Sequence, residues 1–143
     1  MPFPTTTSKV PAVTAFLLEL FRRSLPEVQV SDGTPGATLE AETIVIADVT
    51  FSQEWAAIGA KNRDENAEIR VVVYVRKMGG TQTEANERAF ELLAACELAL
   101  RSDPTLGGLV LQLGVVPVAH HKSMGDAARE AYIAVDLKYR ARI

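Results

Sequence analysis

The chain has 143 residues, 48% hydrophobic and 23% charged, with a formal net charge of −3. That size suits one ordinary domain with a single core, and the composition excludes wholesale disorder. The slight acidity speaks against nucleic acid as a bulk partner, which calls for a basic surface, and a single cysteine, Cys96, excludes an internal disulfide.

Residues 1–8 read as a short flexible lead, with Pro2, Pro4 and a run of hydroxyls favouring irregular backbone. They contain no basic stretch followed by a long apolar core, so no signal peptide is expected. No apolar run in the sequence is long enough to cross a bilayer, and no membrane partner is expected. Residues 9–143 are expected to form one domain.

A helix is expected over 9–25. Val13, Phe16, Leu17, Leu20, Phe21 and Leu25 recur at steps of three and four, Ser8 is the N-cap candidate, Pro11 fits the first turn, and Pro26 ends the element. Short strands are expected at 28–31 and 42–47, separated by the turn chemistry of Asp32-Gly33-Thr34-Pro35-Gly36. The stretch 51–59 holds Trp55 and Ile58 but obeys neither period, and 60–67 reads as a polar loop. Residues 68–77 form the strongest strand pattern: Ile69, Val71, Val73 and Val75 face one way, and Arg70, Val72, Tyr74 and Arg76 the other. Because the second set includes Val72 and Tyr74, that face too is expected to be covered, by a helix or by another subunit.

Gly79-Gly80 breaks the strand, and Thr81-Gln82-Thr83-Glu84 offers a capping box for a helix running to about residue 102. Its stripe is Ala89, Leu92, Leu93, Cys96, Ala99 and Leu100. The junction Ser102-Asp103-Pro104-Thr105-Leu106-Gly107-Gly108 stops that helix and aims the next strand. Residues 109–120 are extended, with Pro117 marking an edge strand or a bulge; 122–126 are a turn or a longer hairpin loop, and His120-His121 stand at its entrance. A last strand covers 127–142, with Ile133, Val135, Leu137, Tyr139 and Ala141 on one face. The expected fold is α+β: a mainly antiparallel sheet with two amphipathic helices packed on one face, in the order helix, strands, helix, strands.

Candidate chemistry is sparse. His120 and His121 are adjacent, so on a strand they point to opposite faces and do not share a metal; no metal or cofactor is expected. Cys96 lies on an apolar stripe, as a small hydrophobe does. No serine sits in a nucleophile elbow, neither glycine pair has phosphate-loop spacing, and the aspartates are scattered. No catalytic residues are therefore assigned. Trp55 reads equally as core or as an interface anchor.

Several phrases resemble the tail terminator proteins of long-tailed bacteriophages, in particular those with actinobacterial hosts. They are the apolar helix of 11–25, Val28-Gln29-Val30-Ser31-Asp32-Gly33, Trp55-Ala56-Ala57-Ile58-Gly59, the strand of 68–75, and Leu100-Arg101-Ser102-Asp103-Pro104-Thr105-Leu106-Gly107-Gly108. The resemblance spans residues 10 to 143. It implies a structural virion protein, assembled in the host cytoplasm, that forms a homohexameric ring at the head-proximal end of the tail. Such a ring stops polymerisation of the tube and serves head–tail joining. The implied partners are further copies of the chain, the major tail tube protein, the head connector or head-closure protein, and genomic DNA passing through the channel without sequence-specific binding. The resemblance supplies no catalytic residues.

For the assembly interface the expectation is that the 60–67 loop reaches a neighbour or the tube through Arg63 with Asp64 or Glu65, Trp55 being a separate candidate anchor; the other reading is a solvated hairpin tip. The alternative functions are another phage neck component, such as a head-closure or joining protein, a small-molecule-binding α+β domain, and an assembly chaperone.

Overall fold

The computed structural model describes residues 8–35, 40–55, 63–124 and 128–143. The elements are α1 (Val10–Ser24), β1 (Gln29–Asp32), β2 (Glu42–Trp55), β3 (Arg63–Met78), α2 (Gln82–Ser102), β4 (Gln112–Met124) and β5 (Ala128–Arg142). The strands form one sheet in the order β1-β2-β3-β5-β4. The expected α+β architecture is present.

Helix α1 buries Val13, Leu17, Leu20 and Phe21, the stripe its spacing dictates. Lys9 holds the N-cap position, one place later than expected, without a side-chain cap of its own. Ser8 nevertheless serves the helix, its hydroxyl accepting from the Val10 N–H at 3.0 Å. Leu25 closes the helix by donating to the Phe21 carbonyl at 2.8 Å, and Pro26 prevents continuation. Helix α2 begins on Thr81, whose hydroxyl accepts from the Glu84 N–H at 3.1 Å. The Glu84 carboxylate lies 3.4 Å from the Lys77 ammonium.

Helix α2 packs on β3, β4 and β5, while α1 packs on β1, β2 and α2. One continuous core therefore lies between the helices and a single face of the sheet. It takes Ile44 and Ile46 from β2, Ile69 to Val75 at alternate positions from β3, and Ile133, Val135, Leu137 and Tyr139 from β5. At about 25 cal/mol per Å² of apolar area removed from water, this layer supplies most of the folding drive.

Three expectations are corrected. First, within the mainly antiparallel sheet β1 and β2, though consecutive, run parallel, with Gln29 opposite Thr43. Second, the strands are longer than their apolar patterns. β2 continues to Trp55 past a bulge between Ile46 and Val49, and β3 already begins at Arg63, so residues 63–67 are strand and not loop. The reason is that polar cross-strand partners, Gln53 with Glu65 and Asp64 with Arg142, hold these ends together in place of apolar ones. Third, β4 runs through His120 and His121 to Met124, where a turn was expected. Residues 56–62, the remainder of the ambiguous stretch and of the polar loop, lie outside the described residues, as do 125–127.

Pro117 fulfils both of its readings, since β4 is an edge strand and carries a bulge between Pro117 and Ala119. The junction after α2 is a run of left-handed backbone: Leu106, Gly107 and Gly108 have φ of 50°, 67° and 88°. Glycine is required at the middle position on two counts. Its φ is positive, and a Cβ there would come 3.1 Å from Cε2 of Phe16. The Asp103 carboxylate accepts the Gly107 N–H at 3.0 Å, and the chain leaves with the Leu111 N–H donating to the Arg140 carbonyl at 2.7 Å. The turn thereby docks the start of β4 alongside β5.

Candidate functional site

The side of the sheet away from the helices carries no described element, and its side chains are ordered in rows by the strand register. The first row crosses four strands as Thr43, Tyr74, Tyr132 and His121, each directly opposite the next. The Tyr74 and Tyr132 ring centroids are 6.4 Å apart, and those of Tyr132 and His121 5.1 Å. The second row is Val45, Val72, Ala134 and Ala119. Beyond it the rows become charged. Arg70 pairs with Asp136 at 3.0 Å, Lys138 with Glu68 at 3.3 Å, and Asp64 with Arg140 at 2.7 Å and Arg142 at 2.9 Å. An aromatic and aliphatic band thus lies beside a lattice of opposite charges. No helix among the described residues covers Val72 and Tyr74, which leaves another subunit as the expected cover; at the end of the first row Thr43 is buried, its hydroxyl donating to the Gln29 side chain and the Glu40 carbonyl.

Of the expected interface residues, Trp55 ends β2 opposite Arg63. Arg63 exchanges both backbone hydrogen bonds with Ile143, at 3.1 and 2.9 Å. Strand alternation then separates the next two residues. Asp64 lies on the open face, its carboxyl held below its ordinary value by hydrogen bonds from Arg142 and Arg140 against the opposing effect of desolvation. Glu65 lies on the helix-bearing face and is fully buried. It is taken up inside the domain: its carboxylate accepts from the Tyr139 hydroxyl at 2.5 Å, the Gln53 amide at 2.9 Å and the Lys9 N–H at 3.0 Å, and also from the Ser8 hydroxyl. Burial raises its pKa, but the four donors outweigh this and the net direction is downward. Tyr139 answers with a pKa raised by burial and by its bond to Glu65. Asp64 and Glu65 therefore lie on opposite faces of the sheet, and Glu65 secures the start of α1 to it.

His120 and His121 face opposite sides, as adjacent strand residues must. The His120 ring stands edge-on to Phe90, with centroids 5.1 Å apart. Its Nε2 is buried with no hydrogen-bond partner among the described residues, and burial, then Lys122 and His121, lowers its pKa. Among the described residues no cluster of three or more His, Cys, Asp or Glu is placed to hold a metal. Cys96 is buried, and desolvation pushes its thiol up to about 12. Among the described residues no helix is long and apolar enough to cross a membrane.

The aromatic row was missed by sequence reading because its members come from three strands. The available signal was Tyr74 and Tyr132 at polar-face positions of two strongly patterned strands. Phe51, Phe90 and Val118 are exposed apolar residues that were also missed, standing at 56%, 49% and 45% exposure.

No protein-family model matches the sequence, nor does any curated protein. Among solved structures, a chain described as part of the virion of a native gene transfer agent particle matches over 95% of this chain and 100% of its own length, with a TM-score of 0.48 and 11% sequence identity.

Proposed function

We propose that this chain is a structural virion protein of a long-tailed phage, one unit of a ring that caps the head-proximal end of the tail tube. The observation that carries this reading is the one-sided architecture. Fourteen-residue β2 spans about 46 Å at ~3.3 Å per residue, and five strands span about 24 Å at ~4.8 Å spacing. The uncovered face therefore offers roughly 1,000 Å², above the ~800 Å² per partner of a standard stable interface. Its centre is Tyr74, Tyr132, Val72 and Val45, and its surround is charged, the arrangement of an interface core and rim. The resemblance of the sequence phrases to tail terminators supplies the particular role.

In this reading the mechanism is occupancy. The ring sits on the last tube layer, denies it to further tube subunits, and presents a new surface to the head connector. DNA passes through the hole, and no bond is made or broken. The partners are other copies of the chain, the tube protein and the head-closure protein, and six copies form the ring.

Electron microscopy of particles from a phage with this gene disrupted tests the proposal. The expected result is tails of uncontrolled length without heads. Tails of normal length beside filled heads would move the protein to head closure, and normal infectious particles would overturn the structural reading altogether.

A further inference from the structure

The two lateral edges of the sheet carry complementary features. β1 covers only residues 43–46 of β2, so beyond its bulge β2 has a free outer edge among the described residues. Phe51 stands on this edge, 56% exposed, and shares the helix-bearing face because it lies opposite buried Ala67. Asp48 and Glu54 are exposed on the same stretch, without an ion pair among the described residues.

At the opposite edge β4 has a strand neighbour on one side only among the described residues. Between it and α2 runs a groove lined mainly by apolar side chains, among them Phe90, Leu93, Pro117 and Val118, together with His120 and the acidic Glu97. His120, one of the residues lining this groove, has an Nε2 that is buried and unpartnered among the described residues. Further along β4, Lys122 is exposed and likewise without an ion pair among the described residues. One edge thus offers an exposed aromatic side chain on the helix-bearing face of an unpaired stretch of strand. The other offers a largely apolar receptacle on the same face.

Direction also agrees. Three antiparallel steps separate β2 from β4, so the two strands run in opposite senses. A second copy placed edge to edge in the same orientation sets its β2 antiparallel to the first copy's β4, with Phe51 on the same side as the groove and level with Leu113; a slide of about five residues along the strands brings it to Val118.

We propose that the free edge of β2 in one copy docks along β4 of the next, with Phe51 seated in the groove between α2 and β4. The contact is head-to-tail, the type that closes rings when the rotation permits. It rests on the reading of the chain as a repeating ring unit and names the surfaces through which that ring is made. An unpaired strand edge meets another, and an anchor meets a pocket.

The test uses the full chain in two variants that each add one exposed cysteine, Phe51→Cys and Val118→Cys. They are mixed at millimolar concentration and treated with a short bis-maleimide; Cys96 is buried and does not compete. The expected result is covalent dimers in the mixture at about tenfold the yield of either variant alone, and a ladder of oligomers from the chain carrying both substitutions. A Phe51→Glu change added to the Val118→Cys partner leaves its groove intact and should not reduce the mixed dimer. Added to the wild-type chain, it should weaken self-association about tenfold, as loss of an interface anchor does. Both substituted side chains are solvent-exposed, and unchanged melting curves confirm folding. Cross-linking of one variant with itself at the yield of the mixture would mean a two-fold interface and overturn the proposal, as would absence of cross-links in the mixture. Tail length in the gene disruption reports what the assembly does, whereas the cross-link reports which surfaces meet, so each reading fails separately.

Discussion

Replacing Glu65 by alanine removes the acceptor for four donors in a site with no solvent access. The Tyr139 hydroxyl, the Lys9 N–H and the Gln53 amide lose bonds of 2.5, 3.0 and 2.9 Å. A buried donor left unpaired costs ~1–3 kcal/mol, and relaxation lets the Ser8 and Gln53 groups at the margin find water. Two donors then stay orphaned, and the loss is about 3–4 kcal/mol, or ~10 °C in Tm at roughly 3 °C per kcal/mol for a domain of this size. Glu65→Gln keeps the shape and half the acceptors and should cost less, about 1–2 kcal/mol. A pH dependence of definite sign accompanies this. The folded-state pKa of Glu65 is depressed below the unfolded value, so its stabilisation is present above that value, near 4.5, and is lost as pH falls through the folded pKa. In Glu65→Gln this acid-side decline should flatten. Thermal melts of the three proteins from pH 7 down to pH 3 measure both effects. A Glu65→Ala protein melting within about 1 °C of wild type at pH 7 would refute the reasoning.

The Cys96 thiol should resist alkylation in the native state at pH 8, its labelling rate tracking global unfolding under denaturant; rapid labelling by a thiol reagent without denaturant would contradict its burial and raised pKa. Gly107→Ala should destabilise by about 1–2 kcal/mol through its positive φ and the approach to Phe16, visible as a lowered denaturation midpoint, and a Phe16→Leu background should recover part of that loss. Replacing Arg140 and Arg142 together by alanine should raise the Asp64 pKa, seen by NMR titration of its carboxyl carbon. An unchanged titration curve would mean the two arginines do not hold that carboxylate in solution.

Where burial is one-sided and continuous, the fold was legible in the sequence. The alternation of Ile69, Val71, Val73 and Val75 against Arg70 and Arg76 located β3, and the stripes of α1 and α2 located both helices, because apolar periodicity reports which face meets the core. Legibility ends where strands are held by polar partners. Residues 63–67 read as a loop because Arg63, Asp64, Glu65 and Asn66 look solvated in one dimension. Only the register reveals that Asp64 lies beside Arg140 and Arg142, and Glu65 beneath Ser8, Lys9 and Tyr139. The parallel pairing of β1 was likewise hidden, since a strand of four residues carries no directional signal. The aromatic row on the open face required knowing that β5 lies between β3 and β4, a fact of topology that no local pattern encodes.

The strand order also bears on how the chain reaches its final form. β3 is central, yet its second neighbour, β5, is remote: Arg142 reaches Asp64 across 78 residues and Asp136 reaches Arg70 across 66. Closing such loops comes late and slowly in folding. Until β5 arrives, one side of β3 is an open template of β-branched residues, and β4, which holds to the sheet only through β5, cannot form its groove. A nascent chain therefore completes its β2 edge before its β4 edge exists. On the proposed edge-to-edge contact, association between copies would accordingly wait for the whole sheet.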